Sequence, residues 1–114
     1  MQNCIFCKII EGKIPSTKVY EDDDIIIIKD IAPQAKIHLV LIPKEHYANI
    51  LEMTESQSLI LGRSFKKLST IVNDLGLSDG FRIVSNKGYN GCQSVDHLHI
   101  HILGGEKLTE KFGH

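Results

Sequence analysis

Three histidines stand at alternate positions in His97-Leu98-His99-Ile100-His101, and no other feature constrains the fold as tightly. On a β-strand successive side chains point to opposite faces, so His97, His99 and His101 share one face. Leu98, Ile100 and Ile102 then fill the other face, which reads as the core side. The rise of two strand residues spaces the imidazoles about 6.6–6.8 Å apart along the backbone. A helix, with its period of 3.6, aligns no such trio. Burying a row of titratable rings is costly unless each finds a partner, so the row is expected to line a polar groove that does chemistry.

The pattern upstream supports a sheet. Lys18–Glu21 and Asp24–Asp30 read as two strands joined at the acidic tip Asp22-Asp23, which as a run of charge is a solvated turn. Four consecutive isoleucines, Ile25 to Ile28, make the second strand central or nearly so. Pro33 interrupts, and Lys36–Ile42 forms a third strand ended by Pro43. Phe81–Asn86 and His97–Leu103 complete five strands, the last closed by Gly104-Gly105. Cys4 to Ile10 reads as a short helical or irregular segment before Gly12 and Pro15. Thr54-x-x-Gln57 has the form of a capping box that opens the only long helix. Leu61, Phe65, Leu68, Val72 and Leu75 form its apolar stripe, and Gly76 stands where a stop is expected. Strands paired by short turns and one long helix on a sheet face predict an α+β fold with an antiparallel sheet.

A chain of 114 residues is expected to form a single domain over 1–114. Thirteen basic against fourteen acidic residues argue against duplex nucleic acid as partner, while leaving room for a mononucleotide at one local anion site. Ile25–Ile28 and Leu39–Ile42 are too short to span a bilayer, so no membrane partner is expected. Met1-Gln2-Asn3-Cys4 lacks the start of a secretory signal, and an odd count of three cysteines argues against a disulfide framework, which together suit a cytoplasmic setting.

The segment Asn86-Lys-Gly-Tyr-Asn-Gly91-Cys-Gln93-Ser94-Val95-Asp-His97-Leu-His99-Ile-His101-Ile-Leu-Gly104 resembles the histidine triad (HIT) family, in particular its Hint-like branch of purine nucleoside phosphoramidases. Ile5-Phe6, Tyr20-Glu21-Asp22, Asp30 to Ala35, His38, Ile42-Pro43-Lys44 and Asp74-Leu75-Gly76-Leu77 extend the likeness over nearly the whole chain. The resemblance implies a five-stranded antiparallel sheet with one long helix and short helices, paired into a homodimer with a continuous sheet. It implies a purine nucleoside monophosphate-type ligand and no organic cofactor. A hydrolase or phosphoramidase is expected, cleaving a nucleoside 5'-monophosphate from an amine or other leaving group. The alternative is a nucleotide-binding or scaffolding protein whose hydrolysis is vestigial.

An imidazole has an unperturbed pKa of about 6.5, so its neutral form is an available nucleophile toward phosphorus near neutral pH. Attack gives a covalent nucleotidyl-histidine that water then hydrolyses. By the family pattern His99 is that nucleophile, with His101 and His38 on the phosphate or leaving-group side. Ser94 offers a hydroxyl and a backbone N–H to a phosphate oxygen, and Gln93 and Asn86 add neutral donors. Singly each of these three is an ordinary turn residue. The resemblance makes Asp30 the acid that accepts hydrogen bonds from the ribose hydroxyls. It places Ile5, Phe6, Ile9, Ile31 and Val40 around the purine, although composition alone would put them in a core.

Cys4-x-x-Cys7 departs from the Hint-like pattern. It resembles HIT relatives and the galactose-1-phosphate uridylyltransferases, in which a cysteine pair and two histidines hold a structural zinc. That likeness makes Cys4, Cys7, His46 and His97 the zinc ligands here, a donor set suited to tetrahedral Zn²⁺. The other reading is a pair of reduced cysteines with His97 hydrogen-bonded. A catalytic metal held by all three triad histidines is a weaker alternative, because no further ligand is evident. Cys92 has no partner and reads as incidental, and His114 as a solvated terminus. The tail after Gly105 lacks the tryptophan- and proline-bearing ending of many Hint-like proteins, which leaves the leaving-group pocket undefined.

Overall fold

The computed structural model describes residues 3–112; His114 lies outside them. Its elements run α1 (Ile5–Ile10), β1 (Lys18–Glu21), β2 (Ile25–Lys29), β3 (Ile37–Pro43), α2 (Glu55–Ile71), β4 (Phe81–Ser85) and β5 (Ile100–Gly104). The five strands form one antiparallel sheet in the order β1-β2-β3-β5-β4. The fold is α+β, as the sequence predicts. No helix among the described residues is long and apolar enough to cross a membrane.

The isoleucine run is explained by the layers on both sides of the sheet. Ile25 and Ile27 join Leu39, Leu41, Leu98, Ile100 and Ile102 in a core under α2. Ile26 and Ile28 join Val40, Ile42 and Ile9 in a smaller cluster under α1. A strand covered on both faces needs apolar residues at every position rather than every other one. Each fully buried isoleucine contributes roughly 1.5–3 kcal/mol by removal from water.

Helix α2 opens with the expected capping box: the Thr54 hydroxyl accepts from Gln57 N–H, and the Gln57 side-chain carbonyl accepts from Thr54 N–H at 2.8 Å. Gln57 also donates to Glu45 at 2.8 Å, tying the helix start to the loop after β3. The helix stops earlier than Gly76, at Ile71. Residues 72–77 tighten into turns in which Leu75 N–H reaches both Ile71 O and Val72 O, and Gly76 closes the series at φ +79°.

The strand predicted over His97–Leu103 forms only from Ile100. Leu41 and Ser85 are the last partners of β5, both at Ile100. Before that point Leu98 N–H donates to Tyr47 O at 2.7 Å, outside the sheet. The alternation of faces persists through this unpaired segment, since Leu98 packs in the α2-side core while Phe6 of α1 packs on His97 and His99.

Candidate active site and metal centre

Two of the triad imidazoles lie beneath Phe6 of α1 rather than in an open groove, His97 fully buried and His99 5% exposed, while His101 is only partly buried. This differs from the sequence expectation, and the reason is that partners are supplied. Among the described residues no buried side-chain nitrogen or oxygen lacks a hydrogen bond.

The partners fix how each ring carries its proton. A carbonyl only accepts, so the nitrogen facing it must bear hydrogen. His99 Nδ1–H donates to His97 O at 2.7 Å, leaving Nε2 with its lone pair bare. His97 Nε2–H donates to Pro43 O at 2.8 Å, leaving Nδ1 bare. Gln34 N–H donates to His38 Nδ1 at 3.0 Å, so His38 carries its proton on Nε2 and donates it to His101 Nδ1 at 2.9 Å. His101 then bears hydrogen on Nε2 and can give it outward. Asp30 Oδ2 lies 3.4 Å from His38 Nε2 and 3.9 Å from His101 Nδ1, while Oδ1 accepts from Ala32 N–H. Burial first, and then the neighbouring His99 and His38 rings, hold the His101 pKa below the usual histidine range, opposed by Asp30.

Cys4, Cys7, His46 and His97 converge with all four donor atoms within 4.8 Å of one another. His97 Nδ1 stands 3.3 Å from Cys4 Sγ, 3.6 Å from Cys7 Sγ and 3.1 Å from His46 Nδ1, and His46 Nδ1 stands 3.3 Å from Cys7 Sγ. Around tetrahedral zinc the edges are about 3.5 Å for S···N and about 3.3 Å for N···N, given Zn–S near 2.3 Å and Zn–N near 2.0–2.1 Å. The residues present fit the ion, and the carbonyl of Pro43 supplies the outer hydrogen bond that orients a ligating histidine. In the chain alone, burial and the adjacent Cys4 thiol push Cys7 up to about 11. Asp30, His38 and His101 also cluster within metal-binding distance. There, however, the His38 Nδ1 lone pair is engaged by Gln34 N–H and Nε2 carries hydrogen, so the set reads as a hydrogen-bond chain. The triad is thus divided: His97 to the cysteines, His101 to His38, and His99 to neither.

The loop from Asn86 to Ser94 is stitched internally. Asn86 Nδ2 donates to Gly91 O at 2.6 Å, and Gln93 Nε2 donates to Ala48 O at 2.7 Å and Val95 O at 3.0 Å. Gln93 Oε1 accepts from Gly88 N–H. These amides, expected as phosphate donors, hold the loop's shape. Gly91 is required there because a Cβ would stand 2.6 Å from Lys87 O. Cys92 is exposed at φ 58°. Ser94 is exposed and lines an open cleft of about 550 Å³ with Cys4, Ile5, His46 and Asp96.

The residues expected around a purine separate. Phe6 packs on His99 with ring centroids 4.9 Å apart and on His97 at 6.0 Å. Ile9 and Val40 belong to the buried cluster beneath it. Ile5 is half exposed, and Ile31 is 98% exposed. The backbone groups of Gln34 and Pro43, which orient His38 and His97, had no signal in the sequence, because any residue carries a carbonyl and all but proline an N–H.

Fold and site together define an antiparallel α+β chain bearing a histidine triad. The sequence matches, over residues 3–113, the family model described as "Scavenger mRNA decapping enzyme C-term binding". It is 44% identical over 107 residues to a 14 kDa zinc-binding protein of Brassica juncea (92% of this chain, 95% of that protein). It is 43% identical over 107 residues to the adenylylsulfatase HINT1 of Arabidopsis thaliana (92% and 73%). Among solved structures, a histidine triad protein of Clostridium difficile superposes with TM-score 0.91 at 40% identity, covering 96% of each chain. A HIT family hydrolase of Legionella pneumophila gives TM-score 0.91 at 42% identity, covering 97% of this chain and all of that one. The chain belongs to the histidine triad (HIT) family.

Proposed function

We propose that this chain is a nucleotide hydrolase of the phosphoramidase type, folded as one HIT domain, with His99 as nucleophile. The observation that carries the reading is the bond from His99 Nδ1–H to His97 O at 2.7 Å, which leaves Nε2 unprotonated and oriented. Nε2 attacks the phosphorus of a bound nucleoside 5'-phosphoramidate, and the bond from phosphorus to the leaving nitrogen breaks. His101 enters this step as the imidazolium, with Asp30 Oδ2 3.9 Å from its Nδ1, and its Nε2–H delivers the proton that the departing amine requires, which leaves the ring neutral. Water then attacks the nucleotidyl-His99, returns a proton to His101 and releases the nucleoside 5'-monophosphate. Ser94 serves the phosphate, Asp30 the ribose hydroxyls, and Phe6 with Ile5 and Ile31 the purine. Asn86 and Gln93 act by shaping the loop that presents Ser94.

Cys4, Cys7, His46 and His97 would hold zinc as a structural ion, which fastens α1 to the sheet when bound. The names of the Arabidopsis and Legionella relatives support hydrolysis, and that of the Brassica relative supports zinc. The free edge of β4, with Phe81 and Ile83 exposed, suits pairing with a second copy into a homodimer; sedimentation at several concentrations tests that part.

The decisive experiment is mass spectrometry of enzyme quenched within milliseconds of mixing with an adenosine 5'-phosphoramidate. An adenylyl adduct on the peptide containing His99, absent in a folded His99→Ala variant, is expected. Undiminished turnover by His99→Ala would refute the reading.

A further inference from the structure

We propose that the α2 side of the sheet carries an effector site for a small organic anion with a flat apolar body, and that its occupancy tightens nucleotide binding through the loop between β2 and β3. The site is a cleft of about 590 Å³ on the face opposite the triad. Small-molecule sites commonly enclose about 300–1,000 Å³. The effect on the nucleotide rests on the function proposed above; the cleft, its ligand and the roles of Lys29 and Lys36 are additions to it.

Alternation along β2 sets Ile25 and Ile27 toward α2 and Ile26 and Ile28 toward α1, so Lys29 stands on the α2 side, where a third core residue would fall. Helix α2 stops at Ile71, and the cover at this end is the turn series that carries Asp74 and Leu75. Between that turn and the sheet the cleft has an apolar lining of Val19, Ile37, Leu39 and Leu75. Lys29 and Lys36 also line it, both exposed, and among the described residues neither ammonium has an ion-pair partner. Asp30 spends its carboxylate on Ala32 N–H and His38, which leaves Asp74 as the one carboxylate set against the two lysines. Such a lining suits an anion with an apolar body. The body leaves water against the aliphatic side chains, and its charge meets Lys29 and Lys36. A flat body suits the space between a sheet face and a turn.

The cleft and the triad side share the same two strand ends. Lys29 is followed by Asp30, which turns to His38, and His38 itself stands between Ile37 and Leu39 of the cleft. The loop joining them closes where Asp30 N–H donates to His38 O at 3.0 Å. Within it Pro33 and Lys36 line the cleft, while Ala32 N–H donates to Asp30 Oδ1 at 2.8 Å and Gln34 N–H to His38 Nδ1 at 3.0 Å. Ile31, assigned above to the purine, belongs to the same loop. An anion held by Lys29 at the end of β2 and Lys36 just before β3 ties the two ends of this loop together. The loop is then ordered before the nucleotide arrives, and less conformational entropy is lost when it binds. Coupling at the low end for linked sites is about fivefold, and it acts equally in both directions.

The probe is 2-naphthoate, titrated into the full chain and followed by amide NMR, with adenosine monophosphate binding measured in its presence and absence. Saturable shifts are expected at Val19, Lys29, Lys36 to Leu39, Asp74 and Leu75. Inorganic phosphate, which has charge without an apolar body, should leave these amides unmoved. Uncharged 2-naphthalenemethanol should bind about fivefold more weakly than naphthoate. Saturating naphthoate should tighten adenosine monophosphate about fivefold, and the nucleotide should tighten naphthoate by the same factor. Lys29→Gln/Lys36→Gln, at two exposed positions, should keep the fold and the affinity for the nucleotide alone, weaken naphthoate about fivefold and abolish the coupling. Naphthoate shifts centred on Phe6 and Ile31, or an affinity indifferent to the double variant, overturn the proposal. Binding in the cleft with unchanged nucleotide affinity overturns it as well. Failure of adenosine monophosphate to bind without naphthoate would instead remove the nucleotide reading and the effector role with it, while the naphthoate titration still decides whether the cleft is a site.

Discussion

Replacing His101 by Gln separates proton delivery from phosphate binding. The chain Gln34 N–H to His38 Nδ1 at 3.0 Å, then His38 Nε2–H to His101 Nδ1 at 2.9 Å, leaves His101 with one outward proton. A positioned acid of this kind contributes about 10²–10⁴-fold in rate. That range equals about 2.7–5.4 kcal/mol of barrier at about 1.36 kcal/mol per decade. The loss should depend on the leaving group. An alkylamine must leave protonated and should suffer the full reduction in kcat/KM. A nitrophenolate leaves as an anion, needs no proton, and should lose less than about tenfold. His38→Ala frees His101 to adopt either tautomer and should give a partial loss with the same leaving-group selectivity. The double variant should be no worse than about His101→Gln alone, because the two residues act as one unit. Single-turnover formation of the nucleotidyl-enzyme with both substrates is the assay. Equal losses for amine and nitrophenolate would refute the reasoning and make His101 a phosphate-binding group.

Leu98→Ala removes a side chain 2% exposed in the α2-side core and should lower stability by about 2–5 kcal/mol, read from denaturant unfolding. Thr54→Ala removes the hydroxyl half of the capping box while the backbone N–H of residue 54 still reaches Gln57 Oε1, and should lower stability by about 0.5–2 kcal/mol in the same assay. Because burial and the adjacent rings depress the His101 pKa, the unfolded chain protonates at a pH where the folded chain does not. Its contribution is therefore flat above about pH 7 and falls as pH drops through about 6.5 toward the folded value; Tm against pH should show that decline, reduced in His101→Gln. Ile31→Ser, at a residue 98% exposed, should change stability by less than about 0.5 kcal/mol yet weaken adenosine monophosphate binding if Ile31 closes on the purine.

Much of the architecture was legible because it depends on local rules. Thr54-x-x-Gln57 specifies a reciprocal cap whatever surrounds it, and four isoleucines in a row leave few alternatives to a strand covered on both faces. Boundaries were less legible. Ile100 opens β5 because its neighbours Leu41 and Ser85 end there, a fact about three segments distant in sequence. The end of α2 at Ile71 reflects turns that bring Leu77 into the core, which the position of Gly76 alone does not reveal. In the site, residue types announced the metal cluster and the triad, whereas they did not show that Asn86 and Gln93 bond to backbone carbonyls in and beside their own loop. Their side-chain amides meet loop carbonyls at 2.6 and 2.7 Å, and no composition argument distinguishes that from donation to a ligand.

The strand order carries a dynamic consequence. Strands β3 and β5, which supply His38 and His101, each have a hydrogen-bonded neighbour on both sides, while β1 and β4 form the margins. Fraying begins at margins, where fewer bonds must break at once. Brief openings of β1 or β4 can therefore come and go while the two imidazoles remain in register, so the chemistry is insulated from the molecule's most frequent local unfolding.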